Sequence, residues 1–141
     1  MNYWKKGCNH LLKYDAVFKK YYNPKHQLKT NKNKFDVLFK SICSQQISVS
    51  AAMSIYKNSK HIIGPVNFAN FRNNKNKIKE LPLSNNKKKC LISLLENYHL
   101  VSKIKLNKNS FEKVNKDLTQ IFGIGRWTAE MFSIFYLGLP N

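Results

Sequence analysis

The stretch LTQIFGIGRWTAEMF, residues 118–132, constrains the chain more than any other. An apolar helical pattern runs into Gly123-Ile124-Gly125, and a second one starts at once at Arg126. Two helices joined by so short a link must fold back on each other. The spacing therefore predicts a helix ending at Ile121 or Phe122, a hairpin over 123–125 and a helix restarting at Arg126. Glycine suits positions where the backbone takes a positive φ or passes very close to something else. Leu118, Ile121, Thr128 and Ala129 complete the pattern L-x-x-I-x-G-I-G-x-x-T-A, in which apolar positions lock the two helices together and Ile124 plugs the hairpin. The unpaired N–H groups at the start of the second helix, with those of the hairpin, make a place for one phosphate, and the glycines clear its approach. Taken alone, G-I-G is no more than a tight turn. The longer pattern describes a device that holds a nucleic-acid backbone without reading its sequence.

The rest of the chain also reads as helix, because apolar residues recur at three and four and the 141 residues include only 5 Gly and 4 Pro. Tyr3 to Lys13 sets Trp4, Cys8, Leu11 and Leu12 on one stripe, and Asp15 is placed to cap a short helix carrying Val17, Phe18 and Tyr21 before Pro24. A polar connector, KHQLKTNKNK, leads into FDVLFKSICSQQISVSAAMSIYKNSKHIIG, two helices broken near Ser44 to Ile47, with Ser48 available to cap the second. Asn67 opens a short helical turn through Phe71, and the lysine-rich NNKNKIKELPLS reads as a connector. Ser84 caps a helix with Cys90, Leu91, Leu94, Leu95 and Tyr98 on its buried side, and SFEKVNKDLTQI carries Phe111, Val114, Leu118 and Ile121. The expected architecture is a single all-α domain over 1–141 without repeats. It contains a helix–turn–helix over 35–60 and the hairpin unit over 110–138.

Lys+Arg of 25 against Asp+Glu of 7 gives a net charge of +18, which favours a polyanionic partner, nucleic acid before an acidic membrane surface. Only Arg72 and Arg126 are arginine, and runs such as NKNK and SNNKKK have the composition that an AT-rich coding sequence produces. The charge therefore supports nucleic acid only where it meets a structural feature. Cys8, Cys43 and Cys90 are far apart and form no C-x-x-C pair, and the four histidines are scattered, so no disulfide framework, metal site or iron–sulfur cluster is expected. Nothing resembles a signal peptide or a membrane span, which points to the cytoplasm, or to a nucleus or organelle in a eukaryotic source.

GIGRWTAEMF resembles the hairpin signature of the helix–hairpin–helix DNA glycosylases, and within them of the 3-methyladenine DNA glycosylase II type. FDVLFKSICSQQISVSAAMSIY is similar to a second signature of that branch, an apolar helix, a Ser-Gln-Gln-Ile-Ser turn and a helix starting near Ala51-Ala52. The likeness extends to YWKKGCNHLLKYD and so runs over essentially the whole chain. It implies a base-excision repair enzyme acting on double-stranded DNA with alkylated bases. Such an enzyme flips the damaged base from the stack and breaks its N-glycosidic bond without a cofactor. Gly123, Ile124, Gly125, Arg126 and Thr128 would form the DNA-backbone hairpin. Gln45 or Gln46 would be the wedge that fills the gap, and Trp127 would stack on the cationic base. Strand-cleaving relatives carry a lysine where this chain has Trp127, which implies a monofunctional enzyme with water as nucleophile.

The same resemblance raises a difficulty. In the family, the carboxylate that stabilises the oxocarbenium-like sugar lies in a Pro-x-Asp-Asp-like segment after the helix that follows the hairpin. This sequence runs to Leu139-Pro140-Asn141, so the resemblance implies a fold incomplete at its C-terminus, with no catalytic residue of its own and little or no turnover. Asp15, Asp36, Asp117, Glu80, Glu96, Glu112 and Glu130 fall outside the matching position and read as solvated helix residues. The last helix is apolar nearly all round, from Trp127 to Leu137, and is expected to be covered by a second polypeptide or by self-association. The alternative is a non-catalytic DNA-binding module that recognises bent or damaged DNA. A weaker possibility is a helical interaction protein whose charge reflects codon usage.

Overall fold

Five side chains start five helices in the same way. In the computed structural model, which describes residues 3–23, 29–105 and 111–138, α1 (Tyr3–Tyr14) is followed by α2 (Ala16–Tyr21), α3 (Lys34–Ser44), α4 (Val49–Ile63), α5 (Phe68–Asn73) and a 3-10 turn (Lys75–Glu80). Then come α6 (Asn85–Glu96), α7 (Tyr98–Ser102), α8 (Phe111–Leu118) and α9 (Arg126–Phe132), the last running on into a π-helical turn (Ser133–Leu137). The side-chain oxygens of Asp15, Asn33, Ser48, Asn67 and Ser84 each accept from the backbone N–H three residues on, opening α2, α3, α4, α5 and α6. Each such cap contributes about 1 kcal/mol and fixes where its helix begins. No strand occurs among the described residues.

The core is organised around α3, whose Phe35, Leu38, Phe39 and Ile42 have no exposure at all. It packs against α4, α6, α9 and the π turn. Phe71 of α5 sets its ring edge-on to both Phe35 and Phe39, 5.0 Å between centroids in each case. Leu91 and Leu94 of α6, Val114 and Leu118 of α8, and Ala129 and Phe132 of α9 close the rest. A stripe at helical spacing on each element supplies these residues, which is how 43% apolar composition becomes one core.

Several boundaries differ from the sequence expectation. Helix α8 ends at Leu118 rather than at Ile121 or Phe122, because the chain tightens there: Ile121 N–H donates to Leu118 and Ile124 N–H to Ile121, both three-residue closures. The segment 75–80, expected as a connector, is a 3-10 turn that buries Ile78. The helix from Ser84 stops at Glu96, and Tyr98 begins α7. Of the α1 stripe only Cys8 is buried, with Trp4 and Leu11 exposed, since α1 packs chiefly on α2. Pro24, part of the polar connector, Ser110 and the ending Leu139-Pro140-Asn141 lie outside the described residues.

The hairpin depends on one close approach. Gly123 has φ +80°, and a Cβ built there would stand 2.6 Å from Cys90 Cβ and 2.8 Å from its Sγ. Gly125 has an extended backbone and nothing of its own chain within 4 Å of such a Cβ. Gly123→Ala is therefore expected to destabilise the fold by about 2 kcal/mol or more, through overlap and a left-handed backbone together. Gly125→Ala, a helix-start change in open space, is expected to cost under about 1 kcal/mol. Urea unfolding midpoints of the two variants check the contrast.

Candidate nucleic-acid interface

Helix α9 starts at Gly125 without any side-chain cap, so the first N–H groups of its opening turn have no side-chain acceptor. Ile124 is buried at the centre of the hairpin, while Gly125 and Arg126 face outward. The Arg126 guanidinium is exposed and reaches Glu130 one turn on at 2.8 Å. Thr128 is buried at 2% exposure, so its hydroxyl belongs to the interior and not to the outer face of the hairpin.

The turn after α3 separates the two glutamines that the sequence left as alternatives. Gln45 donates through Nε2 to the Gly123 carbonyl at 3.0 Å and to the Thr128 hydroxyl at 3.3 Å, which ties the turn to the hairpin 78 residues away. Gln46 is exposed and has φ +57°, the one positive value among the described non-glycine residues. A left-handed backbone at a non-glycine residue costs about 1 kcal/mol or more and turns the side chain away from the path of the helix.

Between these features lies a cavity of about 560 Å³. Trp127, Met131 and Phe135, spaced four residues apart, make one wall from α9 and the π turn. Val37, Lys40, Ser41 and Ser44 of α3 and Val49, Ala52, Met53 and Tyr56 of α4 make the other, with Ile47 at the turn and Lys29 and Asn31 at the edge. Trp127 is half exposed and Phe135 40% exposed, whereas Ala129, Phe132 and Tyr136 on the same segment are buried. The apolar all-round pattern of the last helix thus has two destinations, the core on one side and the cavity on the other. Among the described residues, no aspartate or glutamate lines this cavity.

One acid stands just behind its wall. Asp36, read from sequence as solvated, is 7% exposed and accepts from the Tyr56 hydroxyl at 2.6 Å, the Lys40 ammonium at 2.7 Å and the Asn31 side-chain amide. Burial explains the correction: a carboxylate inside an apolar helix face must find donors, and three converge on it. The Lys40 ammonium also lies 4.9 Å from the centre of the Tyr56 ring. Sequence reasoning missed this cluster. The available signal was an acid within the apolar run FDVLF with a lysine four residues on, but Tyr56 is 20 residues away.

Comparison with known proteins agrees with this architecture. No protein-family model matches the chain, and no curated protein does. Among solved structures, it is similar to a DNA-3-methyladenine glycosidase from Bacillus halodurans, with a TM-score of 0.68 and 28% identity over 91% of this chain and 62% of that one. It is also similar to the 3-methyladenine DNA glycosylase of Schizosaccharomyces pombe in complex with abasic DNA, with a TM-score of 0.75 and 27% identity over 94% of this chain and 70% of that one. The fold is that of the helix–hairpin–helix DNA glycosylases. The chain thus spans less than two thirds of the length of the bacterial protein. Among the described residues no helix is long and apolar enough to cross a membrane.

The cavity and hairpin also perturb nearby ionisable groups. Burial pushes the Cys43 thiol up to about 12, against the pull of the Lys87 ammonium, and the Cys90 thiol up to about 11, from an ordinary value of 9.0. Burial, then the bond to Asp36 and its charge, raises the Tyr56 phenol. A group whose folded value is raised holds its proton longer folded than unfolded. The associated stability is complete below pH 9.0 and is lost as the pH climbs toward 12, while Lys34 and Lys87, lowered first by burial, act in the opposite sense. Thiolate absorbance during a pH titration is expected to show Cys43 and Cys90 silent in the native protein at pH 9–10 and titrating near 9 in urea.

Proposed function

We propose that this chain carries the DNA-clamping and base-holding parts of a 3-methyladenine-type DNA glycosylase, acting on duplex DNA with alkylated bases. The observation that carries the reading is the cavity between Trp127 and α3–α4, placed beside both the hairpin and the 45–47 turn in a fold shared with a glycosylase solved on abasic DNA. In this reading, 1–141 acts as one helical domain with two working units, 35–60 and 110–138. The outward backbone of Gly123, Gly125 and Arg126, braced by Ile124 and Thr128, receives a phosphate of the DNA backbone. Gln46, exposed on a left-handed backbone, is the wedge that enters the stack, and Gln45 fixes the turn that presents it. The flipped base stacks on Trp127, where an alkylated purine's positive charge adds about 1–2 kcal/mol of cation–π attraction in a desolvated site.

Hydrolysis demands more than a binding cavity. A departing base leaves positive charge on the sugar, and among the described residues no acid lines the cavity to meet it; Asp36 is already committed to three donors. Trp127 stands where strand-cleaving relatives have their lysine, so no Schiff base forms there. This favours, as a second reading, a module that recognises bent or damaged DNA without excising a base. A second polypeptide or another copy of the chain against the cavity mouth, where Ile47, Met53, Trp127 and Phe135 are exposed, would reconcile the two.

Three measurements test the proposal. Affinity for a duplex containing an abasic-site analogue is expected to fall with salt on a clearly negative log–log slope, and a slope near zero would leave the nucleic-acid reading without support. Gly125→Asp places an ideal helix cap and a negative charge where the phosphate would arrive. It is expected to preserve or raise the unfolding midpoint while weakening duplex binding about tenfold. Release of free base from alkylated duplex by the 141-residue chain alone is expected to stay at the spontaneous rate, as chromatography of the released bases would show.

A further inference from the structure

Another cavity, of about 630 Å³, opens between α5, the 3-10 turn, α6 and α7, and it shares no lining residue with the one beside Trp127. Its floor is aromatic. The Phe68 and Tyr98 rings lie face to face with centroids 4.0 Å apart, and both are only half-buried. Phe35 of α3 meets each of them edge-on, at 6.4 and 6.0 Å, and holds the pair against the core. Since Val37, Ser41 and Ser44 of the same helix line the first cavity, α3 stands between the two.

The rim carries cations from three elements, Arg72 of α5, Lys75 of the 3-10 turn and His99 of α7. Glu96 is the one acid among the described lining residues, and Lys75 offsets it at 2.7 Å. Arg72 has no such partner. Its guanidinium is exposed, lies 5.8 Å from the centre of the Phe68 ring, and makes no hydrogen bond or ion pair among the described residues. The chain's other arginine, Arg126, is tied to Glu130. At the Ser102 edge of the cavity Lys34 donates to the Ser102 carbonyl at 2.8 Å, and burial first, then the charge of Lys105, lowers its pKa, so two ammonium groups crowd that edge. The balance is positive, and a planar fork of N–H donors is unspent.

We propose that this cavity binds a nucleotide with a terminal phosphate, the base against Phe68 and Tyr98 and the phosphate on Arg72, with His99 and Lys75 beside it. A phosphate monoester brings about two charges and three acceptor oxygens, enough to meet donors from three elements at once, where a carboxylate fills a single fork. A bare phosphate would leave the rings unused, whereas a base stacks on them in any sequence. A free mononucleotide and the phosphorylated end of a single strand present the same chemistry. The site does not depend on what the Trp127 cavity holds.

Calorimetric titration of the 141-residue chain with deoxyadenosine 5′-monophosphate, deoxyadenosine and inorganic phosphate tests this. The nucleotide is expected to bind about tenfold more tightly than either fragment. Arg72→Gln is expected to lose that advantage, and Arg72→Lys, which keeps the charge without the fork, to lose most of it. Lys57→Gln removes the same charge from the exposed surface of α4 and is expected to keep the parent affinity. Unchanged unfolding midpoints in the Arg72 variants separate lost binding from lost fold. Competition by a 5′-phosphorylated pentanucleotide, and not by its 5′-hydroxyl form, identifies a strand end as the source. Competition by neither identifies the free nucleotide. Equal affinity for nucleotide and inorganic phosphate, an equal loss in Arg72→Gln and Lys57→Gln, a parent affinity retained by Arg72→Lys, or equal competition by both pentanucleotides each overturns the proposal, because net charge alone then explains the binding. The salt slope of duplex binding is read separately, so the clamp stands or falls on its own.

Discussion

Gly123 has room for a hydrogen and for nothing larger, and much of the working surface follows from that fit against Cys90 of α6. The approach holds the 119–125 turn on the core and fixes where its backbone carbonyl points. That carbonyl accepts from Gln45, which also meets Thr128, so the turn after α3 is held to a hairpin that follows it by more than seventy residues. Once Gln45 is committed inward, the chain must reverse at Gln46 before Ser48 can cap α4, and Gln46 takes the left-handed backbone. On the other side of the hairpin, α9 starts at Arg126, which sets Trp127 on the cavity wall. The hairpin, the 45–47 turn and the Trp127 ring are thus coordinated through one glycine and one amide.

Helix α3 serves two environments at once. Phe35, Leu38, Phe39 and Ile42 face the core, while Val37, Ser41 and Ser44 face the cavity, so the same turns of helix set both stability and the shape of the site. Asp36 sits between them. An isolated buried carboxylate would cost several kcal/mol, and removing one partner of such a cluster costs about 3–5 kcal/mol. The three donors offset that cost and in return are held in place: Tyr56 from α4, Lys40 from α3 itself, and Asn31 from the segment that precedes it. Asn31 also donates its backbone N–H to the Phe135 carbonyl at 2.8 Å, so the segment before α3 joins the two walls of the cavity.

What was legible in the sequence was what local rules decide. The caps at Asp15, Ser48, Asn67 and Ser84 act on an N–H three residues away, and the hairpin pattern puts its apolar positions at fixed spacings, so α2, α4, α5, α6 and the start of α9 could be placed from residues alone. The end of α8 could not, because a tightened last turn has the same apolar pattern as a continuing helix. Neither could the different settings of Gln45 and Gln46, adjacent and chemically identical, of which Gln45 is bonded to Gly123 and Gln46 is exposed. Asp36 was misjudged for a similar reason. An acid on a helix is usually solvated, and only the fold reveals that Tyr56, 20 residues further on in the next helix, reaches it. The exposure of Trp4 and Leu11 was not legible either, because periodicity says that a stripe exists without saying what it packs against.

Holding a base and releasing it are separable demands, and the cavity's lining suits the first better than the second. In the proposed reading, stacking on Trp127 and closure by Gln46 would act on a flipped base whether or not its bond to the sugar had begun to break. Interactions that are equal in the ground and transition states raise affinity and leave the barrier unchanged. Acceleration requires a group that responds to charge developing at the sugar, and the carboxylate behind the cavity wall, Asp36, has its lone pairs directed to Tyr56, Lys40 and Asn31. Redirecting it would strip three donors of their acceptor at once. Its place in the architecture is therefore to order the cavity wall, and in a glycosylase any charge brought to the sugar would come from a different group.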